Sequence, residues 1–136
     1  MKIFLDTSAL VAYYNKDDSS HDAASQVMNR FLTGEVPVTK FFISDYVFDE
    51  TVTVVECVLR KHDLAIEVGE ALRASPRTMM LRVDESTFEA SWKLFRNMRD
   101  ASFTDCTSFV LMKSLGLQAA FTFDSHFKKA GIKTIP

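Results

Sequence analysis

The sequence predicts an α/β fold: a three-layer α/β/α sandwich with a parallel sheet of four to five strands. Short apolar runs, typical of strands buried on both faces, alternate along the chain with segments of helical periodicity. Acidic residues directly follow the first and fourth runs, where functional groups lie in open parallel sheets. The 136 residues contain no linker, repeat or low-complexity stretch, so we expect one domain spanning residues 1–136.

Five apolar runs are predicted to be strands. The first, residues 2–5, is short and ends at Asp6. Pro76 precedes the third run and separates it from the helix before it. The remaining predicted strands are residues 38–43, 79–83, 119–123 and 132–135.

Helical segments lie between these strands. A first helix is predicted from Ala9, with Thr7 or Ser8 as its cap. The clearest amphipathic pattern is Ala24, Val27, Met28, Phe31 and Leu32, and Gly34 is placed to end that helix. Further helices are predicted over residues 44–61, 63–74 and 105–115, with another beginning after Asp84.

Two of these helices have apolar faces that bear on later arguments. The 44–61 helix places Val47, Thr51, Val54, Val55 and Val58 on one face. The helix after Asp84 places Phe88, Trp92 and Phe95 on one face.

Composition excludes some classes of protein. Hydrophobic residues make up 47% of the chain and charged residues 25%, with no apolar run of about 18 residues, so we expect no membrane span. The amino terminus reaches Asp6 before a leader's apolar region could form, so we expect a cytoplasmic protein.

The net charge is −2, from 16 basic and 18 acidic residues, so the chain lacks the basic excess of many nucleic-acid binders. Acids gathered in one pocket would nevertheless leave its rim relatively basic.

Cysteine and histidine give no sign of a zinc site. Cys57 and Cys106 lie in apolar helical patterns and are predicted to be buried, reduced thiols. The three histidines, His21, His62 and His126, are scattered without metal-ligand spacing.

Four acids are the candidate functional residues. Asp6 and Asp124 each follow a predicted strand, so both are expected at the same edge of the sheet. Asp105, preceded by Thr104, opens a helix. It shares a face of that helix with Phe109 and Met112, which lie one and two turns later. Glu50 lies at the border of an apolar stripe and is predicted to lean into a cleft.

Each acid also has an ordinary structural explanation. Asp105 could be a first-turn acid that favours the helix dipole. Asp124 could start a turn, and Glu50 could be a solvated helix residue. Together, however, four carboxylates at one edge would repel each other unless protons or a cation compensate them. Oxygen ligands of this kind suit Mg²⁺ or Mn²⁺, which support phosphodiester hydrolysis.

At these residues the sequence resembles the PIN-domain family, in particular the VapC-like toxins of toxin–antitoxin pairs. Four segments carry the resemblance: Ile3 to Ala12, Phe48-Asp49-Glu50-Thr51, Ser102-Phe103-Thr104-Asp105-Cys106-Thr107-Ser108-Phe109, and Phe121-Thr122-Phe123-Asp124-Ser125-His126-Phe127. The third segment is the most specific match. These segments reach from residue 3 to about residue 135, nearly the whole chain.

The resemblance implies a PIN fold and a Mg²⁺- or Mn²⁺-dependent endoribonuclease. It carries Asp6, Glu50, Asp105 and Asp124 over as the metal-site acids, with Ser8 and Thr104 in support. Asp100 is a nearby spare acid whose ordinary role would be that of a loop residue. The family also implies a homodimer and a cognate antitoxin bound across the active site. For the dimer, the helix face around Val52 and Leu59 is the surface that the sequence suggests.

Candidate RNA contacts are the basic residues near these acids. They are Arg96, Arg99, Lys113 and Lys128, with Lys129 beside the last. Such side chains would neutralise phosphates and make affinity fall with salt. The alternative, that they are scattered solvated side chains, remains open.

The predicted chemistry is hydrolysis that leaves a 5′-phosphate and a 3′-hydroxyl, because the acids come without any histidine base. One rival is an Asp-based phosphate-transfer domain, in which the acid after the first strand is the nucleophile. Phosphatases of that type want a second Asp two residues later, where this chain has Ser8. The other rival is a catalytically silent module of the same fold that only binds partners.

Overall fold

The computed structural model describes residues 1–136, and its five strands form one parallel sheet. The strands are β1 (Lys2–Leu5), β2 (Lys40–Ser44), β3 (Thr78–Leu81), β4 (Ala119–Phe121) and β5 (Lys133–Ile135). Their order across the sheet is β3-β2-β1-β4-β5, and every neighbouring pair is parallel. The predicted three-layer α/β/α sandwich with a parallel sheet is therefore confirmed.

Seven α-helices and one π-helical segment connect the strands. They are α1 (Thr7–Tyr14), α2 (His21–Leu32), α3 (Asp45–Thr53), the π segment (Val54–Val58), α4 (His62–Ala74), α5 (Glu85–Asn97), α6 (Phe103–Leu115) and α7 (Ser125–Lys129). None of them is both long enough and apolar enough to cross a bilayer. Because the chain moves one way across the sheet from β1 to β3 and the other way from β4 to β5, right-handed crossovers cover both faces.

The centre of the sheet forms the core. Ile3 and Phe4 on β1 and Ala119, Ala120 and Phe121 on β4 have no exposed surface. Strands buried on both faces need apolar side chains at successive positions, which explains their uninterrupted apolar sequence. The strand order reverses between β1 and β4, and the crevice beyond the carboxyl ends of such a pair is where open α/β sheets hold their ligands.

Element boundaries differ from the predicted ones where side chains cap helices. The first helix begins at Thr7 rather than Ala9, because Asp6 itself accepts a hydrogen bond from the Ser8 N–H. The helix predicted from Asp105 begins at Phe103, because Ser102 caps it. The strand predicted over residues 119–123 ends at Phe121, since the residues that follow turn toward the crevice.

The predicted 44–61 helix is interrupted, and this interruption overturns the prediction that Cys57 is buried. After Thr53 the chain forms the π segment, in which the Leu59 N–H donates to the carbonyl of Val54. The wider turn changes the phase of the helix. Val55 therefore stays buried, while Val58 and Cys57, both assigned to an apolar environment from the sequence, are exposed. Cys106 is buried and reduced, as predicted.

The apolar face of α5 is also exposed. Phe88, Trp92 and Phe95 share one side of the helix as predicted, but they are 41%, 48% and 36% exposed. On the same helix, Ser91 is fully buried and Leu94 packs against the core. The ring of Phe103 on α6 contacts this aromatic surface, Phe88–Trp92–Phe95, but leaves much of it exposed in the single chain.

Phe31 fixes α2 onto the sheet, and this role predicts a large effect of its truncation. Its ring lies 5.7 Å from that of Phe41 on β2 and 5.6 Å from that of Phe121 on β4, and only 1% of the residue is exposed. We expect Phe31→Ala to lower the free energy of unfolding by about 3–5 kcal/mol, because a buried ring leaves a cavity. Urea unfolding measures this loss.

The matched control is the next residue, Leu32, which is 62% exposed. Leu32→Ala should change the free energy of unfolding by less than about 0.5 kcal/mol. Equal effects of the two substitutions would contradict the packing of α2 described above.

Candidate active site

A pocket lies beyond the carboxyl ends of β1 and β4, and its lining is strongly acidic. Five carboxylates line it, those of Asp6, Asp18, Glu50, Asp105 and Asp124. No lysine or arginine side chain lines it. The structure thus brings together all four acids singled out from the sequence and adds a fifth, Asp18.

Asp6 reaches this pocket because it directly follows β1. Its backbone N–H donates to the Phe121 carbonyl, continuing the pairing of β1 with β4. Only 3% of the residue is exposed. Its Oδ2 atom caps α1 by accepting from the Ser8 N–H at 3.3 Å. The acid is therefore fixed both by the strand and by the helix that it starts.

Two hydroxyl groups also hold Oδ2 of Asp6. The Ser8 hydroxyl and the Thr122 hydroxyl both donate to it at 2.7 Å. The Ser8 oxygen accepts from the Phe123 N–H at 2.9 Å, and the Thr122 oxygen accepts from the Asp124 N–H at 3.0 Å. No hydrogen bond reaches Oδ1 of Asp6. Since no buried side-chain oxygen lacks a hydrogen-bond partner, Oδ1 is accessible to the pocket that Asp6 lines.

Asp105 occupies the first turn of α6. Its N–H donates to the Ser102 hydroxyl at 3.0 Å, and its Oδ2 accepts from the Ser102 N–H at 3.3 Å, which together form a capping box. Its other oxygen accepts no hydrogen bond. Thr104, expected to support the site, contributes its carbonyl, which accepts from the Thr107 and Ser108 hydroxyls in the first turn of α6.

Glu50 projects from α3 into the pocket and is half-buried. Its carboxylate makes no hydrogen bond within the chain, whereas the exposed Asp49 accepts from Thr53 and the exposed Glu56 pairs with His62. The helix is held in place next to Glu50 by Thr51, whose buried hydroxyl donates to that of Thr7 at 3.3 Å.

Asp124 caps α7 and lies beside a histidine. Its Oδ1 accepts from the His126 N–H at 2.9 Å and lies 2.6 Å from the ring atom Nδ1 of His126. Potential ligand atoms of Asp105, Asp124 and His126 lie within 4.8 Å of one another. The inference that the acids come without histidine is therefore wrong. It failed because histidine was assessed only for its spacing from other histidines and cysteines, although His126 lies two residues after Asp124.

Two carboxyl groups of the pocket, those of Asp105 and Asp6, have raised pKa values. Burial raises the pKa of Asp105 to about 6, and the charges of Asp6, Asp124 and Glu50 add to the increase. Burial also raises the pKa of Asp6; the hydrogen bonds from Ser8 and Thr122 oppose this, and the charge of Asp124 adds to it. The folded protein thus holds acids that are costly to ionise together without a compensating cation.

The donor set fits a hard divalent cation. Asp6, Asp105 and Asp124 each use one carboxylate oxygen for hydrogen bonds within the chain and leave the other without one. Glu50 leaves both oxygens without one. Carboxylate oxygens are the ligands that Mg²⁺ and Mn²⁺ prefer. The lone imidazole, already bonded to Asp124, does not make a zinc-type ligand set.

The PIN domain family model matches residues 3–133. The chain belongs to this family. It is 32% identical over 131 residues to the 23S rRNA-specific endonuclease VapC20 of Mycobacterium tuberculosis, found in strains CDC 1551 / Oshkosh and ATCC 25618 / H37Rv. That alignment covers 95% of this chain and 94% of the relative. The crystal structure of VapC20, described as a Sarcin-Ricin loop cleaving toxin, superposes with a TM-score of 0.80 at 30% identity, covering 96% and 95% of the two chains.

PIN-family membership sets aside the Asp-based phosphate-transfer fold, because the family model and the superposition each span nearly the whole chain.

Family membership does not decide the role of the basic residues selected from the sequence. Arg96, Arg99 and Lys128 are exposed and lie outside the lining of the acidic pocket. Lys113 lies two to three turns from Asp105 along α6 and, with Lys129, lines a different groove. Asp100 is an exposed loop residue with a φ of 68° and does not line the acidic pocket.

Sequence reasoning missed three residues, one that lines the pocket and two that contact its acids. Asp18 lies in the polar loop after α1, where its carboxylate accepts from the Ser20 N–H, and nothing in the sequence distinguishes it from its neighbours. His126 was dismissed as scattered. Thr122 carried a usable signal, because it is a polar residue directly after β4 and therefore in line with Asp6 after β1.

The raised pKa of Asp105 predicts how metal-free stability depends on pH. A carboxyl whose pKa is higher in the folded than in the unfolded chain contributes stability below pH 4 and loses it as the pH rises through about 6. Asp105→Asn removes this loss. In EDTA, we therefore expect the variant to gain melting temperature relative to wild type as the pH rises from 5 to 7.5.

Differential scanning calorimetry at the two pH values measures this gain. The matched control is Asp100→Asn, the same change at an exposed acid five residues away. A difference between Asp105→Asn and wild type that does not grow with pH would contradict the crowding of carboxylates in the pocket.

Proposed function

We propose that this protein is a divalent-metal-dependent endoribonuclease and the toxin of a toxin–antitoxin pair. The observation that carries the proposal is the meeting of Asp6, Glu50, Asp105 and Asp124 in one pocket, each with an oxygen left free for a cation. The match to the PIN domain family and to an endonuclease relative over nearly the whole chain supports it.

The four acids have distinct parts in this proposal. Asp6 and Asp105, the two most buried, would hold Mg²⁺ or Mn²⁺, and Glu50 and Asp124 would complete the site, in part through water. When bound, the cation would polarise a phosphoryl oxygen and activate water for attack. Asp105 would bind the cation as a carboxylate, so cation binding should weaken as the pH falls below about 6. His126 would hold Asp124 in orientation through the contact at Oδ1.

The reaction is hydrolysis of a phosphodiester bond. The oxygen of water forms a bond to phosphorus while the bond from phosphorus to the 3′-oxygen breaks. The 3′-oxygen takes a proton and the products are a 5′-phosphate and a 3′-hydroxyl. A 2′,3′-cyclic phosphate end would exclude this scheme, because it forms only when the 2′-hydroxyl is the nucleophile.

The substrate in this proposal is RNA, and the first one to test is the 23S rRNA sarcin–ricin loop, because VapC20 is a 23S rRNA-specific endonuclease described as a Sarcin-Ricin loop cleaving toxin. The pocket lining is acidic apart from Val11, Val54, Phe123 and small polar side chains. Such a lining repels phosphate until a cation is bound, so metal binding should precede RNA binding. Exposed Arg99 and Lys128 are the proposed contacts to more distant phosphates, whereas Arg96 is assigned below to the contact between two copies.

A cognate antitoxin is the second proposed partner. A protein segment bearing a cationic side chain suits a pocket lined by five carboxylates and no cation, and would block both metal and RNA. The silent-module alternative predicts the same partner but no cleavage, so an activity assay separates the two.

The third partner is a second copy of the chain, and the aromatic surface of α5 is the proposed contact. The surface suggested by sequence is less suitable, because Val52 and Leu59 are half-buried beside α4. On α5, by contrast, Phe88, Trp92 and Phe95 form an exposed apolar stripe. Exposed aromatic clusters of this kind mark protein interfaces.

The charges beside this stripe favour a second copy over another partner. Glu85 and Glu89 lie in the amino-terminal half of α5, and Arg96 and Arg99 at or beyond its carboxyl-terminal end. Two α5 helices packed antiparallel about a twofold axis near Trp92 would place Glu89 of each copy opposite Arg96 of the other. The surface is therefore complementary to itself, as a twofold interface requires.

The proposed activity predicts RNA cleavage that depends on the acids and on metal. Wild type should cut RNA containing the sarcin–ricin loop with Mg²⁺ or Mn²⁺ and not with EDTA. Asp105→Asn should reduce the cleavage rate by at least about 100-fold, because it removes a ligand charge. Denaturing gels with end analysis of the products measure rate and chemistry together.

The control is Asp100→Asn, which should cut at a rate within about twofold of wild type because it lies outside the pocket. Equal cutting by Asp105→Asn, or cutting in EDTA, would refute the metal mechanism. Failure to cut the sarcin–ricin loop, with cutting of another RNA, would change only the substrate.

The proposed α5 contact predicts that the dimer depends on Trp92. Sedimentation velocity at micromolar concentration should give a dimer for wild type and a monomer for Trp92→Glu, since the substitution places a charge at the centre of the stripe. Leu32→Glu, at an equally exposed apolar position on α2, should remain dimeric.

Charge reversal tests the antiparallel arrangement itself. Glu89→Arg and Arg96→Glu should each weaken the dimer, and the double variant should restore it, because each copy then again presents opposite charges. A monomeric wild type, or a double variant weaker than either single one, would exclude this interface.

A further inference from the structure

Distances decide how the two hydroxyls that contact Asp6 are hydrogen-bonded. A serine or threonine hydroxyl has a single proton to donate. The Ser8 oxygen accepts from the Phe123 N–H, and the Thr122 oxygen accepts from the Asp124 N–H. Each hydroxyl oxygen lies 2.7 Å from Oδ2 of Asp6 but 3.2 Å from the other hydroxyl oxygen. Because hydrogen bonds to a carboxylate are the shorter and stronger ones, each hydroxyl is assigned as a donor to Oδ2.

The pattern consists of two relays that converge on one atom. One runs from the Phe123 N–H through Ser8 to Oδ2 of Asp6, and the other from the Asp124 N–H through Thr122 to the same oxygen. Hydrogen bonds linked in this way strengthen one another. Thr122 is 3% exposed, and its hydroxyl contacts only Oδ2 of Asp6, the Asp124 N–H and the Ser8 hydroxyl, so this hydroxyl has no surface role.

We propose that Thr122, acting with Ser8, is a positioning residue that turns the Asp6 carboxylate so that Oδ1 faces the pocket as the ligand oxygen. This rests on the metal site proposed above. Three donors occupy Oδ2 and none occupies Oδ1, so rotation of the carboxylate would break all three bonds. The Thr122 relay also ties Asp124 to Asp6, because the hydroxyl that orients one acid receives the backbone N–H of the other.

The geometry follows from strand pairing. Leu5 on β1 is paired with Phe121 on β4, so the next residues, Asp6 and Thr122, leave the sheet side by side. The hydroxyl of Thr122 therefore lies directly beside the Asp6 carboxylate. Its position next to Asp6 follows from its being the first residue after β4.

The test is the affinity of the metal-free protein for Mn²⁺, measured by isothermal titration calorimetry at 25 °C. Thr122→Val keeps the shape of the side chain and removes the hydroxyl. We expect its dissociation constant for Mn²⁺ to rise about 10- to 100-fold, the usual effect of removing a group that orients a ligand. Thr122→Ser, which restores the hydroxyl, should bind within about threefold of wild type.

Thr134→Val is the matched control. It is the same substitution on the neighbouring strand β5, where the hydroxyl bonds the Pro136 carbonyl and touches no acid. In an Asp6→Asn background, Thr122→Val should have little additional effect, because the relay acts through Asp6. Ser8→Ala removes the other relay at a half-buried position and gives an independent variant if Thr122→Val does not fold.

Each outcome supports or overturns the positioning role of Thr122. Weaker Mn²⁺ binding by Thr122→Val or Ser8→Ala, with Thr134→Val unaffected, supports the positioning role. Wild-type affinity in a folded Thr122→Val, or no rescue by Thr122→Ser, overturns it while leaving the metal site intact. Absence of Mn²⁺ binding by wild type overturns the metal site and this inference together.

Discussion

Repulsion among carboxylates beyond β1 and β4 is the constraint on which the rest of the site depends. Five acids line one pocket without a lysine or arginine, and the pKa of Asp105 rises to about 6 as a result of burial and its neighbours' charges. A fold that only needed stability would avoid this arrangement, since separate acids would be better solvated. Three of the acids instead lie where backbone N–H groups offset part of the free-energy cost of burial and mutual repulsion.

That offset comes from helix amino termini. Asp6 caps α1, Asp124 caps α7, and Asp105 forms the capping box of α6. Unpaired N–H groups and the positive end of the helix dipole favour a negative charge at each of these places. Each cap uses one carboxylate oxygen, so the same contacts that stabilise the charge also choose which oxygen remains for a ligand. Glu50, in the middle of α3, has no such compensation and is half-buried.

The sheet and α6 connect this site to the rest of the molecule. The buried sheet fixes the spacing of Asp6 and Thr122 through the pairing of β1 with β4. Phe103 begins α6 two residues before Asp105, and its ring contacts those of Phe88, Trp92 and Phe95 on α5. The exposed aromatic surface therefore adjoins the helix that carries a site acid, so a second copy bound there would be in contact with the element that positions Asp105.

The sequence by itself determined the strands, the parallel sheet and the identity of the four acids. Apolar runs and helical spacing are local properties, and an acid directly after a strand has only one edge of the sheet to occupy. Tertiary structure decided what depends on pairing between distant residues, and it joined Thr122 to Asp6. Two local features also lay outside the sequence pattern: the turn that sets the His126 ring against Asp124, and the π segment that exposes Cys57. Tertiary structure also left Phe88, Trp92 and Phe95 partly exposed beside Phe103, because a helical pattern gives the apolar side of a helix but not how fully the rest of the chain covers it.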